Sequence, residues 1–170
     1  MYERPFTGEH DMTNETFSDV VRRNHQRLFI IALSYTGSHE DSEDILQNVF
    51  LKLWKQESSF ADDEHIDKWL TRVCVNECRN HIKMPMRRNI ALDEAKDLYT
   101  FDKPRDFDVF NAVMSLPKKE RTVIILFYYE DLTVKEISGL VKAKESTIKT
   151  RLRRAKQRLK ETLGDDWINE

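Results

Sequence analysis

Apolar residues recur at three- and four-residue intervals over most of the chain, and proline or glycine stands where that rhythm breaks. Phe17, Val20, Val21, His25, Leu28, Ile31 and Ala32 predict a first helix from about Thr13 to the stop at Gly37. Ser38, with Asp41 three residues on, opens a second helix in the manner of a capping box, and this helix reaches Trp54 or Lys55. The segment from Gln56 to His65 has no period and reads as a loop. A third helix is expected from about Ile66 to Lys83, closed by Pro85, which disfavours helical geometry in the residue before it.

From Met84 to about Pro104 the pattern is irregular, with at most a short helix around Asp93 to Leu98, and it reads as a linker. Periodicity returns at Phe107, Val109, Phe110, Val113 and Met114 and breaks at Leu116 and Pro117. Proline is tolerated in a first helical turn, so a further helix starts there and carries Val123, Ile124, Leu126 and Phe127. The outline is all-α: a loosely ordered extension over 1–12, a helical domain over 13–84, a linker over 85–105 and a second helical domain over 106–165. On this reading the free protein holds two mobile domains.

At about 100° per residue, Ile45, Leu46, Val49, Phe50 and Leu53 of the second helix share one broad arc. Asp44, Gln47, Asn48 and Leu51 fall at i, i+3, i+4 and i+7 on the opposite arc. Such an edge is either a wet face or a docking face. On the third helix Asn76, Arg79, Asn80 and Lys83 repeat the same spacing as a polar and basic stripe. Phe60 in the preceding loop and Trp69 in the first turns supply aromatic surface. Rings beside amide and basic side chains suit an unpaired nucleic-acid strand, whose bases stack while its phosphates are held; the plainer role for Trp69 is packing in the core.

The sharpest local signal is DLTVKEISGLVKAKESTIKTRLRRAKQRL. Thr133 and Glu136 form a capping box for a short helix over Val134 to about Val141. A tight turn at Lys142 to Lys144 leads to a helix from Glu145 or Ser146, with an apolar seam of Ile148, Leu152, Ala155, Leu159 and Leu163. This is the pattern of a helix-turn-helix, whose second helix enters the DNA major groove. Lys149, Thr150, Arg151, Arg153, Arg154, Lys156, Arg158 and Lys160 flank the seam. Early residues are placed to reach base edges and later ones to neutralise phosphates. Otherwise a basic amphipathic helix keeps the chain soluble or lies on a membrane or a regulatory partner.

Composition adds to this picture in three ways. Four glycines and four prolines in 170 residues agree with helices rather than turns. The net charge of −2 averages an acidic first part (Glu40, Asp41, Glu43, Asp44, Asp62, Asp63, Glu64) and a basic end, an asymmetry that implies two different partners. Two cysteines, a polar start and no apolar run of about 18 residues lead us to expect a cytoplasmic protein without disulfides or membrane insertion. Neither a glycine-rich phosphate loop nor a nucleophile motif points to an enzyme, and no cofactor is implied. Cys74, Cys78 and His81 form C-x3-C-x2-H, a zinc pattern if His65 came near, but two cysteines on an apolar helix face are more often small core residues.

With these stretches on the page, the chain resembles a bacterial RNA polymerase sigma factor of the extracytoplasmic-function (ECF) class from about Phe17 to Leu163. SEDILQNVFLKLW is similar to region 2.2 of that family, FADDEHIDKWLTRVCVNECRN to regions 2.3 and 2.4, and LPKKERTVIILFYYEDLTVKEIS with STIKTRLRRAKQRL to regions 4.1 and 4.2. The resemblance implies a region 2 helical bundle and a region 4 helix-turn-helix joined by a linker, without a region 1.1, a region 3 domain or a carboxy-terminal regulatory domain. It implies that Asp44, Gln47, Asn48 and Leu51 dock on the clamp helices of the largest catalytic subunit of core polymerase, with the polymerase flap as a further contact. It assigns Phe60, Ala61, Asp62, Asn76, Arg79, Asn80 and Lys83 to the melted minus-ten element. Ser146, Thr147, Lys149, Thr150, Arg151, Arg153 and Arg154 then read the minus-thirty-five duplex.

Family members are often sequestered by an anti-sigma factor, so one is an expected partner. The free protein is expected to be a monomer, and the holoenzyme to lie on the nucleoid. Two rival readings make other predictions. An autonomous helix-turn-helix regulator would bind its duplex tightly without polymerase, commonly as a dimer on half-sites. A helical adaptor whose basic helix binds an acidic protein would show no promoter selectivity.

Overall fold

A computed structural model describes residues 14–56, 60–83 and 104–164, and all regular structure among them is helical. The expected extension over 1–12, the short helix near 93–98 and nearly all of the expected linker lie outside the described residues. The elements are α1 (Asn14–Thr36), α2 (His39–Trp54), α3 (Asp63–Lys83), α4 (Pro104–Ser115), α5 (Lys118–Ile124), α6 (Val134–Val141) and α7 (Glu145–Leu163).

Helices α1 to α3 form the first bundle. Its centre is Leu28, Ile31, Leu33, Ile45, Leu46, Val49, Leu53 and Leu70, all buried; burying each such side chain contributes about 1.5–3 kcal/mol. The turn between α1 and α2 needs a left-handed residue, and Gly37 supplies it with φ 71°. The Ser38 hydroxyl then accepts from the Asp41 backbone N–H at 3.3 Å, which fixes the start of α2.

Helix α3 starts three residues before the sequence pattern predicts. The Asp62 carboxylate accepts from the His65 backbone N–H at 2.7 Å and caps it. Asp63, Glu64 and His65 are exposed, so no apolar period announced this first turn. Helix α4 likewise begins earlier, at Pro104, where a first-turn proline costs no backbone hydrogen bond.

The second unit packs α4, α5 and α6 around α7. Ile148, Leu152, Ala155 and Leu159 are buried as the seam requires, and Leu163 is half-buried at its end. After Ile124 the backbone widens into a π-helical turn, Ile125–Tyr129, in which the Glu130 N–H reaches back five residues to the Ile125 carbonyl at 3.2 Å. The extra residue in this turn leaves Ile125 and Leu126 buried and turns Tyr128 and Tyr129 outward.

Thr133 accepts from the Glu136 N–H at 3.3 Å while the Glu136 carboxylate accepts from the Thr133 N–H at 2.9 Å, so the capping box is complete. Lys142, at φ 53°, ends α6 in the left-handed region, and the Ser138 hydroxyl donates to the Ala143 carbonyl across the turn. Thr133→Ala is expected to lower stability by about 1 kcal/mol, read as a lower urea midpoint at an unchanged m-value. A shift below experimental error would mean that the box does not hold the helix start.

The two units are not separate. The buried Arg121 of α5 donates from Nε to the Ser34 carbonyl of α1 at 3.0 Å and from Nη1 to the Met114 carbonyl at 2.6 Å. Glu130 is paired with Arg27 of α1 and accepts from the Thr71 hydroxyl of α3 at 2.8 Å. The two units expected from the sequence pack together here, through contacts between residues far apart in sequence that helical periodicity does not register.

Candidate nucleic-acid and polymerase interfaces

The polar arc of α2 forms as its spacing required. Ile45, Leu46, Val49, Phe50 and Leu53 are buried, Gln47 and Asn48 are exposed, Asp44 is half-buried and Leu51 is 52% exposed. Trp54, three residues beyond Leu51, extends the same edge; it is 43% exposed with its ring edge-on to Phe17 at 5.1 Å. The i+3 spacing contained that signal, but in the sequence reading Trp54 only marked a helix end. Asp44, Gln47 and Asn48 line a shallow recess of about 320 Å³ whose other wall is Glu77, Asn80 and His81 of α3. Lys52 closes one side of this face by donating to Glu77 at 2.5 Å.

Helix α3 presents its stripe next to that edge, with Asn80 common to both. Asn76, Asn80 and Lys83 are exposed, and Arg79 is half-buried because its guanidinium reaches the Leu140 carbonyl of α6 at 3.4 Å. At the other end of α3, Phe60 stands edge-on to both His65 and Trp69 at 5.5 Å. Phe60 and Trp69 are both half-buried, so each splits its surface between packing and solvent. The Ala61 N–H donates to His65 Nδ1 at 3.3 Å, and Asp62 caps the helix, so the loop holds a defined shape next to its aromatic face.

On α7, Ser146, Lys149, Thr150, Arg153 and Arg154 are exposed, Thr147 and Arg151 half-buried. The Thr150 hydroxyl donates to the Ser146 carbonyl at 2.9 Å. Ser146, Lys149, Thr150 and Arg153 share one stripe at i, i+3, i+4 and i+7 and are the side chains best placed to enter a groove. Further along, Lys156 lies over the Tyr128 ring at 5.2 Å, so its charge is partly engaged within the domain.

The cysteines take the core role. Cys74 and Cys78 are buried, the Cys74 thiol donates to the Leu28 carbonyl at 3.6 Å, and burial pushes the Cys78 thiol well up. His81 turns instead to Asp41, with Nε2 3.3 Å from the carboxylate, and His65, in the first turn of α3, packs its ring against Phe60. Among the described residues no group of three or more His, Cys, Asp or Glu side chains is arranged to hold a metal ion. Nor is any helix among them long and apolar enough to cross a membrane.

Sequence reasoning missed the residues that join the two units. Glu130 has a side chain only 1% exposed, and burial pushes its carboxyl up although the Arg27 charge and the Thr71 hydrogen bond act against that shift. Its Oε1 is buried without a hydrogen-bond partner. No local spacing signals a contact between positions 27 and 130.

Comparison with known proteins agrees with this geometry. The family description Sigma-70 region 2 matches residues 20–88, and Sigma-70, region 4 matches residues 107–159. The chain is 26% identical to the ECF RNA polymerase sigma factor SigM of Mycobacterium tuberculosis, over 94% of this chain and 89% of that one. It is 27% identical to the RNA polymerase sigma factor SigV of Bacillus subtilis, over 79% and 83% of the two chains. Among solved structures, the sigma factor RpoE of Bartonella quintana, in complex with the anti-sigma factor NepR, shares the fold with a TM-score of 0.62 at 23% identity, over 89% of this chain and 99% of that one. With regions 2 and 4 matched in their order and relatives aligned across both, the chain belongs to the sigma-70 family as a sigma factor of the ECF class, a promoter-specificity subunit of RNA polymerase.

Proposed function

We propose that the two units divide the work of promoter recognition, residues 13–84 binding core polymerase and the melted minus-ten strand and residues 106–165 reading the minus-thirty-five duplex. The observation that carries this reading is the adjacency on the first unit. The α2 edge of Asp44, Gln47, Asn48 and Leu51 meets the α3 stripe at Asn80, so one rigid bundle can seat on polymerase and present a nucleic-acid face beside the contact. Phe60, Ala61 and Asp62 then offer the aromatic loop, and Asn76, Arg79, Asn80 and Lys83 the backbone-tracking stripe. On α7, Ser146, Thr147, Lys149, Thr150 and Arg153 face the base edges, while Arg151 and Arg154 take phosphates.

In this reading the flap of the polymerase holds the second unit, the linker over 85–105 sets the span between the elements, and the holoenzyme works on the nucleoid. An anti-sigma factor is a regulatory partner that competes for these surfaces. The chemistry stays in the polymerase, and the sigma chain contributes binding energy and position rather than catalysis. Binding through two tethered sites explains why each domain alone needs only modest affinity.

The test offers a pool of genomic duplex fragments to the free protein and to the reconstituted holoenzyme. Holoenzyme is expected to retain fragments with two elements at fixed spacing, and the free protein to retain almost none. Tight selection by the free protein as a dimer on half-sites would overturn the reading in favour of an autonomous regulator.

A further inference from the structure

The proposed minus-ten face carries one oriented polar atom that its assigned residues do not include. At about 100° per residue, His65, Trp69, Arg72, Asn76 and Lys83 of α3 fall within one arc of about 60°. The stripe therefore continues along the helix to the Phe60 loop, and His65 stands where the two meet.

The ring of His65 is fixed from two sides. Phe60 stands edge-on to it at 5.5 Å, and the Ala61 backbone N–H donates to its Nδ1 at 3.3 Å. A backbone N–H can only donate, so in the neutral imidazole Nδ1 is the accepting nitrogen and the ring proton sits on Nε2. This Nε2–H has no hydrogen-bond partner among the described residues, and the side chain is exposed. The acidic groups beside it are engaged within the protein: Asp62 caps α3, Asp63 pairs with Arg23 at 2.7 Å and Glu64 with Lys68 at 2.6 Å. The loop thus presents an aromatic surface with one oriented donor at its rim.

We propose that His65 is a base-reading residue of this loop. At one position of the unpaired strand it selects a base that turns a keto oxygen toward it, guanine O6 or thymine O4, over one that turns an amino group, adenine N6 or cytosine N4. The inference rests on the proposed minus-ten role of the first unit and adds a specificity to it. Stacking on exposed rings accepts every base, because each has a π face. Discrimination needs a polar group of fixed direction at the rim of the stack, and the bond from Ala61 supplies that direction. In this tautomer Nε2 donates and cannot accept, so a keto oxygen completes a hydrogen bond whereas an amino group sets donor against donor. Asn76 and Asn80 lack this polarity, since an amide offers both a donor and an acceptor and can turn to suit either.

The test uses holoenzyme reconstituted with the full chain and a promoter duplex carrying an unpaired bubble over the minus-ten element, randomised on each strand in turn. Retained strands are sequenced. Wild type is expected to prefer guanine or thymine over adenine or cytosine by about five- to tenfold at one position, the effect of a single hydrogen bond made or lost. His65→Phe keeps a ring against Phe60 and leaves the exposed Ala61 N–H to water. It is expected to level that position while the preferences at all others persist. His65→Gln, able to donate or accept, is expected to lower the ratio there to about twofold. Three results would overturn the proposal: a wild type with no such position, a His65→Phe chain with the wild-type profile, or one whose preferences change at every position, as loss of a mere prop of the loop would give. Failure of the wild-type holoenzyme to select any sequence from the pool is a different result, because it removes the minus-ten role itself and the assignment of His65 with it.

Discussion

Replacing Asp44 by arginine is expected to abolish binding of core RNA polymerase while the chain stays folded. Asp44 lies on the polar arc of α2, opposite the buried Ile45, Leu46 and Val49, and lines the recess shared with Asn80 and His81. A long cationic side chain has room there without entering the core. If the polymerase surface that receives this edge is basic, the substitution removes an attraction and adds a like-charge contact, which costs several kcal/mol. A loss of at least ~100-fold in affinity, about 3 kcal/mol, is therefore expected from titration of labelled protein with core. The melting temperature should stay within a few degrees of wild type. Wild-type affinity in the folded variant would remove the α2 edge from the polymerase interface.

The second large effect concerns duplex DNA. Arg151→Ala with Arg154→Ala, assayed in the holoenzyme on a promoter duplex, is expected to weaken binding at least tenfold at physiological salt. It should also change the salt dependence. Five or six phosphate contacts give a log-log slope near −5, at ~0.9 per contact, and removing two should bring it to about −3. The slope separates phosphate neutralisation from base readout, because loss of a base contact weakens one sequence over others and leaves the slope nearly unchanged. An unchanged slope and affinity would mean that these arginines face away from DNA.

Much of the second unit was legible in the sequence because its elements carry local signals. Thr133 and Glu136 mark the start of α6, the Lys142 turn ends it, and the seam from Ile148 to Leu159 defines α7. The same holds for the polar arc of α2, where helical spacing alone separates Asp44, Gln47, Asn48 and Leu51 from the core. What escaped has a physical reason in each case. The first turn of α3 is made by Asp62 and three exposed polar residues, so no apolar rhythm precedes Ile66. The π-helical turn falls in the continuous run from Val123 to Tyr129, which has no period to be broken. Arg27 and Glu130 meet across 103 positions, a pairing that only the tertiary fold determines.

Packing and function are linked through these same residues. The docking edge and the stripe of the first bundle are fixed by buried neighbours, and one hydrophobic core runs through both bundles, with the buried Arg121 and Glu130 at their contact.

The most direct test of the central claim is transcription by core polymerase from a pool of genomic fragments, with and without this protein, followed by mapping of the new start sites. Start sites that appear only with the protein, share two elements at one spacing and vanish with Asp44→Arg are the expected result. The same start sites with and without the protein, or new ones with no common upstream elements, would contradict its role as a promoter-specificity subunit.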